Sequence, residues 1–463
     1  MAKYDVAIVG AGPGGYVAAI RAAQLGLATV LIEEDQVGGL CLNWGCIPSK
    51  ALLWNAELIR LFRASEEFGI TYDALRVDMG KAIDRSRQVV DRMVRGVEFL
   101  LEKNGVTVVR GRGQLLGQHD IGVQPSGDVV EAEHIIIATG AHARPLPGVE
   151  VDGHTIITSR EALELREPPA SMVIVGGGPV GLEFAYFYRA YGSEVTIVEM
   201  LDHLLPQEEE EISRLLEHAL KQQGIAYRTG AKVLGISVAN GRAEVIVDTE
   251  GREERFSADK VLIGIGMTGN TDGLGLEKAG VEVESGFVGI DETMRTSTAD
   301  IFAIGDVTGK LLLAHVASAQ GVAAVEHIAG RDPHPLRYQN MPRCTYCQPQ
   351  VASLGLTEAQ ARQSGIDVRV GTFPYRANGK ATAIGRTEGL VKLVADAQTD
   401  DIVGYHFIGH DATELLVAAT LGNALETTPR DLGSAVFAHP TLSEVVKEAA
   451  LATSGEAIHF WKE

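Results

Sequence analysis

Residues Tyr4 to Glu33 and Met172 to Glu199 carry one pattern twice, and few architectures can hold it. In the first copy an apolar run, Tyr4 to Val9, passes into Gly10-Ala-Gly12-Pro-Gly-Gly15, an Ala-rich helical stretch, Gly26, and a second run from Thr29 that ends in Glu33. In the second copy VIVGGGPVGLEF is followed by EVTIVEM, so Gly10, Gly12, Gly15, Gly26 and Glu33 map onto Gly176, Gly178, Gly181, Gly192 and Glu199 at a constant offset of 166. Continuous Val/Ile runs are the mark of strands buried on both faces, as in a parallel sheet covered by helices. Between such a strand and a helix, the first glycine makes the turn, the second lets backbone approach a pyrophosphate, and the third lets helix meet strand. The acid ending the next strand takes a ribose hydroxyl. A lone glycine triplet says little, and a βαβ unit without a ligand is the competing reading. In this context, and repeated, the pattern predicts two dinucleotide-binding units of α/β type.

Between the copies stands Gly38 to Lys50, GGLCLNWGCIPSK, with Cys41 and Cys46 separated by four residues. A disulfide needs its Cα atoms within about 7 Å, far less than an extended chain of this length, so bridging requires a turn. Gly45 supplies backbone freedom, and Pro48 is expected to keep the segment from being ordinary helix interior. A tight bridge is readily reduced, which suits a bond made and broken in turn. Two buried free thiols are the competing reading. Two dinucleotides beside a cysteine pair imply an electron relay between two cofactors and a dithiol.

The chain has 463 residues, enough for about three domains. With 45% apolar and 22% charged residues it reads as soluble and globular, and its net charge of −20 argues against nucleic acid or an anionic membrane as partner. Four cysteines are too few for a secreted disulfide scaffold, and the chain enters a strand by Tyr4, so a reducing, cytoplasmic setting is expected. Met172 to Tyr188, the most apolar segment, is broken by glycines, Pro179 and Glu183 and reads as no membrane span. Lys81 to Lys103 has apolar residues at helical spacing with Gly105 as cap, the pattern of a packing helix. Ile135 to Gly140 is a strand entering a turn, Pro145 to Gly148 a linker, and Asp300 to Ile304 a strand ending in Gly305-Asp306. Polar Arg331 to Pro342 marks a boundary before a region mixing strands with a helix near Thr413 to Leu425, and Glu208 to Glu211 reads as a solvated helix start.

Together these features resemble the flavoprotein disulfide reductases, the class I pyridine nucleotide-disulfide oxidoreductases, and among them the dihydrolipoyl dehydrogenase family. The likeness spans essentially the whole chain. Its most specific segments are GGLCLNWGCIPSK, both glycine motifs, Ala138-Thr139-Gly140, AIGD at Ala303 to Asp306, FPYRANGKA at Phe373 to Ala381, and HPTLSE at His439 to Glu444. The resemblance implies an α/β fold with two Rossmann-like domains, for FAD and NAD, and a C-terminal α+β dimerisation domain. Its implied divisions are 1–147 (FAD domain, first part), 148–270 (NAD domain), 271–340 (FAD or central domain, second part) and 341–463 (interface domain). It implies FAD held by Gly10, Gly12, Gly15, Glu33, Glu34, Lys50, Ala138, Thr139, Gly140, Asp306, Ala314 and His315. Of these, Glu33 would take the adenosine ribose and Asp306 the ribityl chain. NAD would be held by Gly176, Gly178, Gly181, Glu183, Glu199 and Gly266, with Glu183 also pairing Lys50 near the flavin ring. No metal is expected.

By the same likeness Cys41 exchanges with substrate, Cys46 faces the flavin, and His439 with Glu444 serves from the other subunit of an obligatory homodimer. The chemistry agrees: a thiolate attacks disulfides, so oxidising a dithiol needs a base, which His supplies near neutral pH while a carboxylate orients it. The implied reaction oxidises protein-bound dihydrolipoamide to lipoamide and reduces NAD+ to NADH. Its partners would be lipoyl domains of a 2-oxoacid dehydrogenase complex or another lipoyl carrier. Glu199 favours NAD, because an acid there accepts a 2′-hydroxyl and repels a 2′-phosphate. One rival is a related NAD(P)H-dependent disulfide or metal reductase, opposed by Glu199 and the IPSK ending. The other is a non-catalytic scaffold subunit, opposed by the presence of Cys41, Cys46, His439 and Glu444. The chain departs from the family pattern at Met267-Thr268-Gly269-Asn270, Val316, Phe437, Cys344 and Cys347. A single CxxC falls short of a closed zinc site, and on a strand its side chains point oppositely and lie about 10 Å apart, so packing is expected there.

Overall fold

The computed structural model describes residues 3 to 461; the outer ends of the first and last expected domains, residues 1–2 and 462–463, lie outside the described residues. Its first sheet runs in the order Thr107–Arg110, Thr29–Glu33, Lys3–Val9, Asp128–Ile137, Asp120–Gln124, Arg112–Leu115, and Ile301–Ala303 also pairs with Asp128–Ile137. The strands carrying the first motif pair in parallel, and Thr29–Glu33 is buried throughout, as its unbroken apolar run requires. The second sheet, Ala226–Arg228, Glu194–Val198, Ser171–Val175, Lys260–Ile263, Ile156–Ile157, is wholly parallel.

The repeat reaches past its five matched positions. In both units the first strand lies between the second strand and a returning strand, and an antiparallel excursion precedes the return. Each glycine motif thereby stands at the carboxyl end of a central strand, where open α/β sheets bind ligands.

A five-stranded antiparallel sheet forms the last unit, in the order Arg343–Thr345, Gln350–Gly355, Ile402–Gly409, Leu390–Asp396, Val368–Pro374. Helices Ala412–Ala424 and Glu444–Ala452 pack on it through a core that includes Phe373, Tyr405, Phe407, Leu416 and Val445. The first of these helices leaves Val417 and Leu421, with Leu425 just beyond its end, as an exposed apolar stripe at four-residue spacing. The packing helix spans Met79–Lys103, starting two residues early because the Asp78 carboxylate accepts the Lys81 N–H at 3.0 Å. Among the described residues, no helix is long and apolar enough to cross a membrane.

Glu208 to Glu211 does open a helix, Glu210–Gln222, with Glu210 and Glu211 exposed, but the first two acids of the run are not solvated. Glu208 pairs with Arg343 at 3.1 Å, and the Lys392 ammonium is ringed by Glu209 at 2.8 Å, Glu358 at 2.9 Å and Glu211 at 3.3 Å. Burial works against the Lys392 charge, yet the Glu209 and Glu358 hydrogen bonds hold its pKa above the usual lysine value. The acidic run thus clamps the second nucleotide unit to the last unit. Its cationic partners lie 135 and 183 residues along the chain, beyond any local reading. Lys392→Met strands the buried Glu209 carboxylate and the half-buried Glu358 and is expected to cost about 3 kcal/mol, read as a lowered urea midpoint; an unchanged midpoint would rule out the clamp.

Candidate functional site

The redox segment is two helices broken at one residue. Gly39–Trp44 ends and Cys46–Arg63 begins at Gly45, where an added Cβ would stand 3.0 Å from the Leu40 carbonyl oxygen. The required turn is this break, which carries Cys41 on the short helix and Cys46 at the first position of the long one. As expected, Pro48 is not helix interior: it stands in the first turn of the long helix, where a missing N–H leaves no helical bond unmade. The Asn43 amide donates to the Val37 and Gly39 carbonyls at 3.1 and 3.0 Å, and Arg87 donates to the Asn43 carbonyl at 2.8 Å.

Cys41 and Cys46 are present as free thiols that face each other. Their shared hydrogen bond raises the Cys41 pKa, with burial adding to it, and lowers that of Cys46. Burial of Cys46 opposes that lowering while the Lys50 charge assists it, and a helix N-terminus favours negative charge at its first residue. In the dithiol form the shared hydrogen bond, Lys50 and the helix N-terminus all favour negative charge on Cys46 over Cys41. Lys50, one turn on, pairs with Glu183 of the second unit at 2.9 and 3.1 Å. The Tyr346 N–H of the last unit donates to the same carboxylate at 3.1 Å. Sequence reasoning had no signal for Tyr346, whose approach depends on how the last sheet docks.

Both glycine motifs form the same cradle. A Cβ on Gly15 would lie 1.9 Å from the Gly10 carbonyl oxygen, and one on Gly181 2.0 Å from that of Gly176, so only glycine allows these helices to approach their strands. A Cβ on Gly12 or Gly178 would meet nothing within 4 Å, which leaves open space where a pyrophosphate would lie. The following helices, Pro13–Gln24 and Pro179–Ala190, begin without a side-chain cap, so their first N–H groups remain free for an anion. Glu33 accepts the Ala11 and Asp35 N–H groups at 2.6 and 2.8 Å; Glu199 accepts those of Gly177 and Leu201 at 2.6 and 2.8 Å. The 166-residue offset holds bond for bond, and each carboxylate keeps lone pairs for a ribose hydroxyl.

Asp306 follows Ile301–Ala303 in a short helical turn. Among the described residues nothing hydrogen-bonds its carboxylate, and burial pushes its pKa up to about 6. A half-buried acid without a donor fits a ligand that brings hydroxyls. Ala314 opens the helix Ala314–Ile328, and beside it His315 Nε2 lies 2.9 Å from the Pro342 carbonyl. Glu34 is exposed and turned towards Arg112 at 3.8 Å. Ala138, Thr139 and Gly140 leave the strand end for a clasp in which the Thr139 hydroxyl donates to the Asn270 carbonyl and the Asn270 amide to the Thr139 carbonyl, each at 2.8 Å. Gly266, with φ of +103°, precedes the strand Met267–Gly269, which pairs with Ala141–Ala143. The divergent Met267 to Asn270 segment thus fastens the two nucleotide units together. Val316 is fully buried, and Phe437 is half-buried beside the exposed Val436.

His439 lies in the last unit, its Nδ1 3.0 Å from Glu444 Oε1, while Glu444 Oε2 accepts the Thr441 N–H at 3.0 Å. Against the penalty of burial, these two bonds hold the Glu444 pKa below the usual value. The His439 side chain is 76% exposed, and among the described residues no hydrogen bond joins it to either thiol of its own chain. Cys344 ends up half-buried on the strand Arg343–Thr345, and Cys347 fully buried on the bend beyond it; both are free thiols. The strand stops before Cys347, so strict alternation does not extend over the CxxC. No cluster suited to a metal occurs among the described residues.

Residues 4–321 match the family described as pyridine nucleotide-disulphide oxidoreductase, and residues 341–450 match its dimerisation domain. The chain is 48% identical to dihydrolipoyl dehydrogenase of Mycobacterium leprae, covering 99% of this chain and 100% of that one, and 44% identical to that of Bacillus subtilis over 99% of each. Among solved structures it is similar to LpdA of Mycobacterium tuberculosis, with a TM-score of 0.89 at 28% identity over 97% of this chain and 99% of that one. The HOCl-induced flavoprotein disulfide reductase RclA of Escherichia coli gives a TM-score of 0.86 at 28% identity over 98% and 100%.

Proposed function

The chain belongs to the pyridine nucleotide-disulphide oxidoreductases and, within them, to the dihydrolipoyl dehydrogenases, and on that footing we propose that Cys41 and Cys46 oxidise a protein-bound dihydrolipoyl group, with FAD and NAD+ as the onward acceptors. The observation that carries the assignment of roles is the placement of Cys46 at the first position of its helix with Lys50 one turn on, which favours negative charge on Cys46 rather than on Cys41.

In the oxidised enzyme His439 takes a proton from one substrate thiol, and the thiolate attacks Cys41 Sγ. The Cys41–Cys46 bond breaks, and its electron pair leaves on Cys46, where Lys50 and the helix N-terminus favour it. The second substrate thiol gives its proton to Cys41 as its sulfur displaces that residue from the mixed disulfide. The substrate departs as a cyclic disulfide, leaving a Cys41 thiol, a Cys46 thiolate and a protonated His439. Bound flavin supplies the two-electron acceptor between this thiolate and the nicotinamide. Gly10, Gly12, Gly15, Glu33 and Asp306 would hold the FAD, and Gly176, Gly178, Gly181 and Glu199 the NAD. The acid at Glu199 supports NAD over NADP.

An exposed imidazole oriented by Glu444, with the matched dimerisation domain and the apolar stripe of Val417, Leu421 and Leu425, supports a homodimer in which His439 serves the neighbouring chain's thiols. A lipoyl domain is the partner suited to this chemistry.

Cys46→Ser is expected to lower dihydrolipoamide–NAD+ turnover by about 10³-fold or more with flavin content unchanged; near-normal turnover would sink the assignment. A second expectation concerns Asp306. Its carboxyl titrates near 6 when no donor reaches it, and hydroxyl donors favour the charged form, so FAD binding expels its proton. The affinity of flavin-stripped protein for FAD should therefore fall as pH drops below about 6, and Asp306→Asn should flatten that fall; equal slopes in both proteins would refute the contact.

A further inference from the structure

The Cys344-Thr-Tyr-Cys347 segment has no part in the relay above, yet it runs beside the thiols. The Tyr346 N–H donates to Glu183 Oε1 at 3.1 Å, the oxygen that also accepts from Lys50 at 3.1 Å. The Tyr346 ring lies against the Lys50 ammonium, with Nζ 4.4 Å from the ring centre, and the Tyr346 hydroxyl faces Cys344. Lys50 needs such a seat. Its side chain is 35% exposed, whereas that of Glu183 is 9% exposed, so the flexible ammonium can leave for water while the carboxylate cannot.

We propose that Tyr346 is a positioning residue for the dithiol reaction: its backbone N–H anchors Glu183 and its ring holds the Lys50 charge beside Cys46. The inference rests on the reading of Cys46 as the thiolate of the relay. Facing Cys46 are the Cys41 thiol from the short helix, Lys50 from its own helix, Glu183 from the second unit and Tyr346 from the last. Lys50 favours the Cys46 thiolate and Glu183 disfavours it. Without the ring Lys50 withdraws, while Glu183 stays on the backbone N–H that any residue at 346 other than proline supplies. Cys46 then keeps its proton to higher pH.

The test is a pH titration of Cys46 in dithiothreitol-reduced holoenzyme, by iodoacetamide alkylation rates resolved peptide by peptide with mass spectrometry. It compares wild type, Tyr346→Phe, Tyr346→Leu, and protein with pentafluorophenylalanine at position 346, which keeps the ring's shape and removes its negative face. Tyr346→Phe is expected to titrate with wild type, and the Leu and fluorinated proteins about one pH unit higher. If Tyr346→Leu does not fold, the fluorinated ring carries the comparison alone. Equal midpoints throughout, or a shift in Tyr346→Phe as large as that with the fluorinated ring, would overturn the proposal. A wild-type Cys46 that shows no titration would instead strike at the thiolate reading, and is seen without any variant.

Discussion

The ion pair between Lys50 and Glu183 is the interaction on which the site depends. It joins the helix that begins at Cys46 to the helix that follows the second glycine motif, and the Tyr346 N–H ties it to the last unit. With Glu183 almost wholly buried, this pair lies outside the usual weak class of surface salt bridges. Losing either partner would leave a charge stranded beside the thiols. Its work is also local and chemical. The lysine charge favours a thiolate on Cys46, and with the helix N-terminus gives direction to the cysteine pair.

Everything larger serves to hold that arrangement. Two copies of one βαβ unit place two anion cradles at strand ends, and the Gly15 and Gly181 approaches show how little room each cradle leaves. The Asn270 clasp and the Lys392 cluster bind the second copy to its neighbours on either side. The last unit contributes structure to the thiols of its own chain through Tyr346, while its histidine points outward.

Local patterns carried much of this in advance. Glycine spacing, buried Val/Ile runs and a terminal acid are set by backbone sterics within some thirty residues, which is why both nucleotide units, and even the matching bonds of Glu33 and Glu199, follow from letters in order. Contacts across units were not legible. Glu208 to Glu211 reads as a solvated run because Arg343 and Lys392 come near only in the folded chain, and Tyr346 has no motif at all. Pro48 keeps the segment from being helix interior, but it allows a first turn, and only the break at Gly45 reveals that such a turn starts there.

The central claim is that the reaction is assembled between two chains, with Cys41 and Cys46 from one and His439 from the other. Co-expressing a Cys41→Ser chain with a His439→Gln chain and isolating the mixed dimer tests it directly, since each parent homodimer is inert. If His439 serves the neighbouring thiols, the mixed dimer holds one intact site and recovers about half the wild-type dihydrolipoamide turnover. If His439 acts within its own chain, every site in the mixed dimer lacks a group, and a mixed dimer as inert as its parents would contradict the account.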